Sequence, residues 1–299
     1  MDFAFYRMVS AQQGVFTTAQ ALSHVGDGAL RALVRSGRWR RSRWRGVLVD
    51  GELPDSSELQ VRAAALAIGG DLVACHSTAA ALWGFDVLEA GTLHFLGPPS
   101  LVNRRLPGIQ VHPSNLGCDD AVLVGGTWCT PPARTACDVV RNSAPIDGLA
   151  TLDAALRSGA CTQAQLATAA EGMHGLRQVI RLRNLVPHAV ARAESPMESR
   201  MRWRFIDGGL PAPAVQVEIS DLGRTHYLDT GWQERCVGAE FDGLEAHMTR
   251  DQLAGDRDRH NWITEHRWTL LHFTAVDVYR RADAMVERTA RALGLPSSA

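Results

Sequence analysis

Apolar positions along the chain change period several times, and each change marks an element. Two short helical blocks come first, separated by Gly26. Thr17 or Thr18 caps a helix over 19–24, and Asp27 caps a second in which Ala29, Leu30, Leu33 and Val34 share one face before Gly37 stops it. The run Arg38-Trp-Arg-Arg-Ser-Arg-Trp-Arg-Gly-Val-Leu-Val suits two short strands joined by a basic turn. Next, 58–68 reads as an amphipathic helix and 77–83 as another, capped by Ser77 or Thr78. Short strands at 93–96 and 109–112 lie between Pro- and Gly-bearing turns. Pro131-Pro132 opens a helix to Val140, 147–156 is a further helix, and 172–193 is a helical connector interrupted by Pro187.

The last third has a different grammar. A helix over 196–206 ends at Gly208-Gly209. Strands follow at 214–219, 225–232 and 235–242, then a helix over about 250–266, a strand over 268–273 and a helix over 276–293. Helix, three-strand meander, helix, strand, helix describes an α/β domain with a mixed sheet. At 299 residues the chain suggests about two domains, or three small ones. The expected layout is α/β multidomain. An N-terminal winged helix occupies 1–55, a mixed α/β middle region 56–170, a helical connector 171–194 and a C-terminal α/β domain 195–299.

Composition narrows the function class. With 45% hydrophobic and 21% charged residues the chain can fill cores and is not disordered. No window approaches the ~18 apolar residues of a membrane span. The first residues, acidic at the second position, make a poor signal peptide, so a cytoplasmic protein is expected. All 31 basic residues are arginines, which excludes any mechanism needing a lysine ammonium. The cysteines (Cys75, Cys118, Cys129, Cys137, Cys161 and Cys236) contain no Cys-x-x-Cys pair. They read as reduced thiols, and a zinc site is not expected.

A net charge of −1 hides a strong asymmetry. Seven arginines (Arg31, Arg35, Arg38, Arg40, Arg41, Arg43 and Arg45) stand in fifteen residues without an acid. Arg31 and Arg35 share a helix face and the others project from the adjacent hairpin. This suits a recognition helix in the major groove of double-stranded DNA with a wing on the backbone; a merely solvated face, or a winged helix used for protein contacts, is the alternative. From Asp229 to Asp258 there are eight acids against three arginines. A hairpin turning near Glu234 sets Asp229 opposite or nearly opposite Ala239 and Glu240, and Glu240 and Asp242 point to one face. Three converging carboxylates repel unless a cation joins them, and an oxygen-only set suits Mg²⁺. The alternative is a solvated sheet edge.

Two stretches resemble known families. Gly14-Val-Phe-Thr-Thr-Ala-Gln-Ala-Leu, Ser36-Gly-Arg-Trp-Arg-Arg and Arg45-Gly-Val-Leu-Val resemble the N-terminal winged-helix domain of AbiEi-type antitoxins. That resemblance implies DNA binding, self-repression and a cognate toxin as partner. Cys75-His-Ser-Thr-Ala-Ala-Ala-Leu-Trp-Gly and Thr130-Pro-Pro-Ala-Arg-Thr-Ala-Cys-Asp are similar to the stretch that follows in such proteins, where His76 and Asp138 read as capping or core residues.

Glu198, Gln216, Asp229-Thr-Gly-Trp, Glu240-Phe-Asp-Gly, His247, Asp256-Arg-Asp-Arg and Trp268-Thr-Leu-Leu-His-Phe-Thr resemble the PD-(D/E)XK, restriction-endonuclease-like fold. The branch they resemble is that of very-short-patch-repair endonucleases. The resemblance implies a Mg²⁺-dependent DNA endonuclease. Asp229 and Glu240 would hold the metal, Glu198 would support it through water, Gln216 would orient phosphate or water, and His247 would assist proton transfer. Glu198 has a second reading as the partner of a capping box with Ser195. Two departures stand out: the family's lysine falls at Asp242, and its histidine at Ala246, one residue before His247. A non-enzymatic antitoxin-like transcriptional regulator with a degenerate nuclease fold is the alternative reading.

Overall fold

The computed structural model describes residues 3–70, 72–85, 87–89, 91–114, 121–243 and 250–296, the side chains of 250–254 and 256 excepted. Among these the chain is mixed α/β, with fourteen α-helices and three sheets, in two compact units, 1–139 and 140–299. No described helix is long and apolar enough to cross a membrane.

The first unit opens with α1 (Phe3–Ala11), β1 (Val15–Thr17), α2 (Thr18–Leu22), α3 (Asp27–Arg35), β2 (Trp39–Arg41) and β3 (Val47–Asp50). The strands form an antiparallel sheet in the order β1-β3-β2. Phe5, Phe16, Ala21, Leu30, Trp39 and Leu48 make its core. Thr17 caps α2 and exchanges a full capping box with Gln20. The cap of α3 is Gly26 rather than the expected Asp27, whose side chain instead bonds Arg31 at 2.6 Å. Burying Phe5 and Val9 supports α1, which the sequence pattern does not announce.

The rest of this unit is α4 (Ser57–Ile68), β4 (Val73–Ala74), α5 (His76–Leu82), β5 (Leu93–Gly97), α6 (Pro99–Val102), β6 (Ile109–Pro113), β7 (Val122–Val124), β8 (Thr127–Cys129) and α7 (Pro132–Asn142). Its sheet runs β6-β5-β4-β8-β7, with β5 and β6 parallel. Cys75, not Ser77 or Thr78, precedes α5, while Thr78 accepts the backbone N–H of His94 at 2.7 Å. Asp138 is buried and paired with Arg134 at 2.6 Å, as a core residue.

The second unit begins with α8 (Pro145–Arg157), α9 (Gln163–Gly172) and α10 (Val179–Leu185), the last followed by a 3-10 turn at Val186–His188. Then come α11 (Pro196–Asp207), β9 (Ala214–Asp221), β10 (Arg224–Trp232), β11 (Val237–Phe241), α12 (Arg250–Glu265), β12 (Thr269–Phe273), α13 (Ala275–Arg280) and α14 (Ala282–Ala292). The sheet order is β12-β11-β10-β9, antiparallel except for the parallel β11–β12 pair. Met201 and Phe205 of α11 pack with Val237, Ala239, Leu271 and Phe273; Ile263 of α12 packs with Val217, Ile219 and Leu228. A Cβ at Gly238 would stand 2.4 Å from the buried Leu228 side chain, which would have to shift to admit it. A buried Arg202–Asp153 pair at 2.7 Å joins α11 to α8.

Candidate functional site

The β10–β11 hairpin sets Thr230 against Ala239, which brings Asp229 level with Glu240. Asp229 is skipped by the β9 ladder: Leu228 and Thr230 pair with Val217 and Val215 on either side of it. Gln216, between those two partners, has a left-handed backbone (φ 51). Released from regular pairing, the Asp229 carboxylate accepts the N–H of Phe241 at 2.8 Å. Burial pushes its pKa up to about 7; the charges of Glu198 and Glu240 push the same way, against the Phe241 N–H and Arg259.

Glu198 serves its helix and faces this cluster at once. Its N–H is capped by Ser195 at 3.2 Å, and its carboxylate accepts the N–H of Glu194 at 3.0 Å, one residue beyond a reciprocal capping box. The same carboxylate receives the Gln216 amide at 3.5 Å. Glu198, Gln216, Asp229 and Glu240 therefore gather around one end of the meander.

The Asp242 carboxylate takes Nδ1 of His272 at 3.0 Å, a residue on the next strand whose ring centre is 5.9 Å from that of His260. His247 lies outside the described residues. Arg259 of α12 places Nη1 2.9 Å from one oxygen of Glu240 and bonds the other through Nη2, which also donates to the Tyr227 carbonyl at 2.8 Å. Beside Gln216 a groove of about 440 Å³ is lined by Arg157, Arg192, Glu194 and Tyr227. Sequence reading missed Arg259, His272, Arg157 and Arg192. The run Asp256-Arg-Asp-Arg marked the helix bearing Arg259 but not its partner.

The basic N-terminal surface is largely as the pattern implies. Arg31, Arg35, Arg38, Arg41, Arg43 and Arg45 are exposed; Arg40 is partly buried, with its guanidinium on the Leu53 carbonyl. Arg31 and Arg35 flank exposed Gly28, Ala29 and Ala32 on α3, so the helix backbone is accessible between them. Arg38 reaches Tyr6 at 3.4 Å, and Arg43 lies over the Trp44 ring at 5.6 Å. The five described cysteines are free thiols.

Residues 72–188, from the middle sheet through the 3-10 turn, match the family described as AbiEi antitoxin C-terminal domain. That segment is thus similar to an antitoxin domain. Over 253 residues it is 37% identical to two Mycobacterium tuberculosis proteins. They are the uncharacterized protein MT2308 of strain CDC 1551 / Oshkosh and the uncharacterized protein Rv2248 of strain ATCC 25618 / H37Rv. The match spans 84% of this chain and 91% of each relative, and the chain belongs to the family of these mycobacterial proteins.

Proposed function

We propose that this chain is a cytoplasmic DNA-binding protein of toxin–antitoxin type whose C-terminal domain, restriction-endonuclease-like, hydrolyses DNA phosphodiesters with the help of Mg²⁺. The observation that carries the reading is Asp229, withdrawn from water between Glu198 and Glu240 and raised to about 7. A buried carboxylate beside two others is a setting that a hard divalent cation would relieve. Asp229 and Glu240 would hold Mg²⁺, with Glu198 behind them. When bound, the ion supplies Lewis acidity at the phosphate and lowers the pKa of water. Gln216 would orient groups at the edge of the cluster, and Arg157 and Arg192, which line the adjoining groove, would meet a phosphate there. Where the nuclease resemblance expects lysine, Asp242 holds His272, so an acid–imidazole pair takes the place of an ammonium.

The order of helices and strands in residues 3–50 supports a winged helix, with α3 entering the major groove and the β2–β3 turn on the phosphates. Plasmid nicking tests the whole reading. Wild type should cut with Mg²⁺ or Mn²⁺, and Asp229→Ala should abolish cutting while DNA affinity stays. The grip of Arg259 on both oxygens of Glu240 favours a second reading, a non-enzymatic regulator that binds its own upstream DNA and a cognate toxin. Absence of cutting in either metal, with tight binding to that DNA, selects it.

A further inference from the structure

Far along the sequence from the acidic cluster, three imidazoles and a thiol meet on the five-stranded sheet. Cys75 lies between β4 and α5, His76 begins α5, and His94 and His112 lie on β5 and β6. The parallel register sets Leu96 against His112 and His94 against Gln110, so the two histidines are diagonal neighbours on one face. The N–H of Cys75 bonds the His94 carbonyl at 3.0 Å, which fixes the β4–α5 corner to β5. His76 has a left-handed backbone, φ 49, at that corner. Its ring centre lies 4.9 Å from that of His112 and 5.7 Å from that of His94. Nδ1 of His94 and Nε2 of His112 are 3.0 Å apart.

We propose that Cys75, His76 and His112 form a binding site for a divalent transition metal of the zinc class, with His94 orienting His112. A donor atom from each of the three lies within 4.8 Å of the other two. Tetrahedral zinc, with Zn–S about 2.3 Å and Zn–N about 2.0 Å, draws its ligand atoms to roughly 3.3–3.6 Å apart. Small side-chain rotations close that gap. One sulfur and two imidazole nitrogens select zinc, cobalt or nickel over magnesium. With the metal on Nδ1 of His112, its Nε2–H donates to Nδ1 of His94, the outer partner that a metal-bound imidazole commonly has.

Binding displaces the thiol proton of Cys75 into solvent as the metal–sulfur bond forms. The thiol is buried while the three histidines are only partly so, which leaves an approach from the imidazole side. The ligands come from the β4–α5 junction and from β6, so no Cys-x-x-Cys spacing announces them, and that missing spacing underlay the expectation of no zinc site.

Cobalt titration of the full, tag-free, chelator-stripped chain tests the proposal. One equivalent of Co²⁺ should give a near-ultraviolet thiolate-to-cobalt charge-transfer band and the visible bands of four-coordinate cobalt, both erased by Zn²⁺. Cys75→Ser should remove the charge-transfer band. His112→Gln should weaken Co²⁺ binding at least tenfold. Should Cys75→Ser fail to fold, His112→Gln, at a partly exposed position, decides alone. A folded wild type without the band overturns the proposal, as does unchanged affinity in His112→Gln.

Discussion

Arg259 on α12 holds both carboxylate oxygens of Glu240 on β11, so a helix cation sits on the acid beside Asp229. If Glu240 is a metal ligand, that guanidinium competes with the metal. Arg259→Gln should therefore tighten Ca²⁺ or Mg²⁺ binding by about tenfold in calorimetry while costing roughly 1.5–3 kcal/mol of stability from the lost charged hydrogen bonds. Unchanged metal affinity in a folded Arg259→Gln would remove Glu240 from the proposed site.

Asp229 predicts a specific pH dependence. The unfolded chain releases this proton near ~4, the folded one at about 7. Between those values the folded state binds more protons. The group's contribution to stability is therefore complete below ~4 and is lost as pH rises through 7. Asp229→Asn has no such proton to lose. Relative to wild type it should gain roughly 2–4 kcal/mol between pH 4 and pH 8 in urea titrations. Saturating Mg²⁺ should stabilise wild type chiefly above pH 7. A constant difference between the two proteins across pH would mean that Asp229 titrates as an ordinary surface acid.

Below the cluster, Arg202 and Asp153 form a buried pair that also engages the His188 carbonyl at 2.7 Å and the Val190 N–H at 2.8 Å. Asp153→Ala leaves the guanidinium uncompensated and should cost about 3–5 kcal/mol. Asp153→Leu combined with Arg202→Met should recover much of that loss in the same denaturation assay. Glu198 is one turn from Arg202 on α11, so any cutting should fall with the single variant and return with the double.

On the basic surface the predictions separate by residue. Arg31→Ala with Arg35→Ala should weaken binding to duplex DNA and lower the slope of log affinity against log salt by about 0.9 per lost phosphate contact. Arg40 spends its guanidinium on the Leu53 carbonyl, so Arg40→Ala should reduce stability more than the slope. Equal slopes for all variants would mean that these arginines do not face phosphate.

Local signals in the sequence carried much of this fold. The Asp229–Glu240 proximity was legible because one hairpin sets it, and the α3 arginines because 3.6-residue periodicity does. β4, β7 and β8 are two or three residues long, too short for any period to show. The partner of Asp242, His272, arrives on β12, after the whole of α12, and no spacing within the hairpin contains that information. The same holds for Cys75, His94 and His112, which only the order β6-β5-β4 brings together.

Trp44 connects the basic turn to the rest of its unit. Its ring is buried in the core with Val47, Leu59 and Phe95, and its Nε1 donates to the Pro107 carbonyl at 3.1 Å. Arg43 and Arg45 flank it in sequence, so the indole fixes where their charges stand. Trp44→Ala should cost about 3–5 kcal/mol, and Trp44→Phe, which keeps most of the packing but loses the hydrogen bond, about 1 kcal/mol. If the turn is a wing on DNA, folded Trp44→Phe should keep near wild-type affinity. Trp44→Ala, assayed at a temperature where it remains folded, should bind several-fold more weakly although no arginine has changed. Equal affinity for the two variants would separate this turn from DNA and leave α3 as the sole contact.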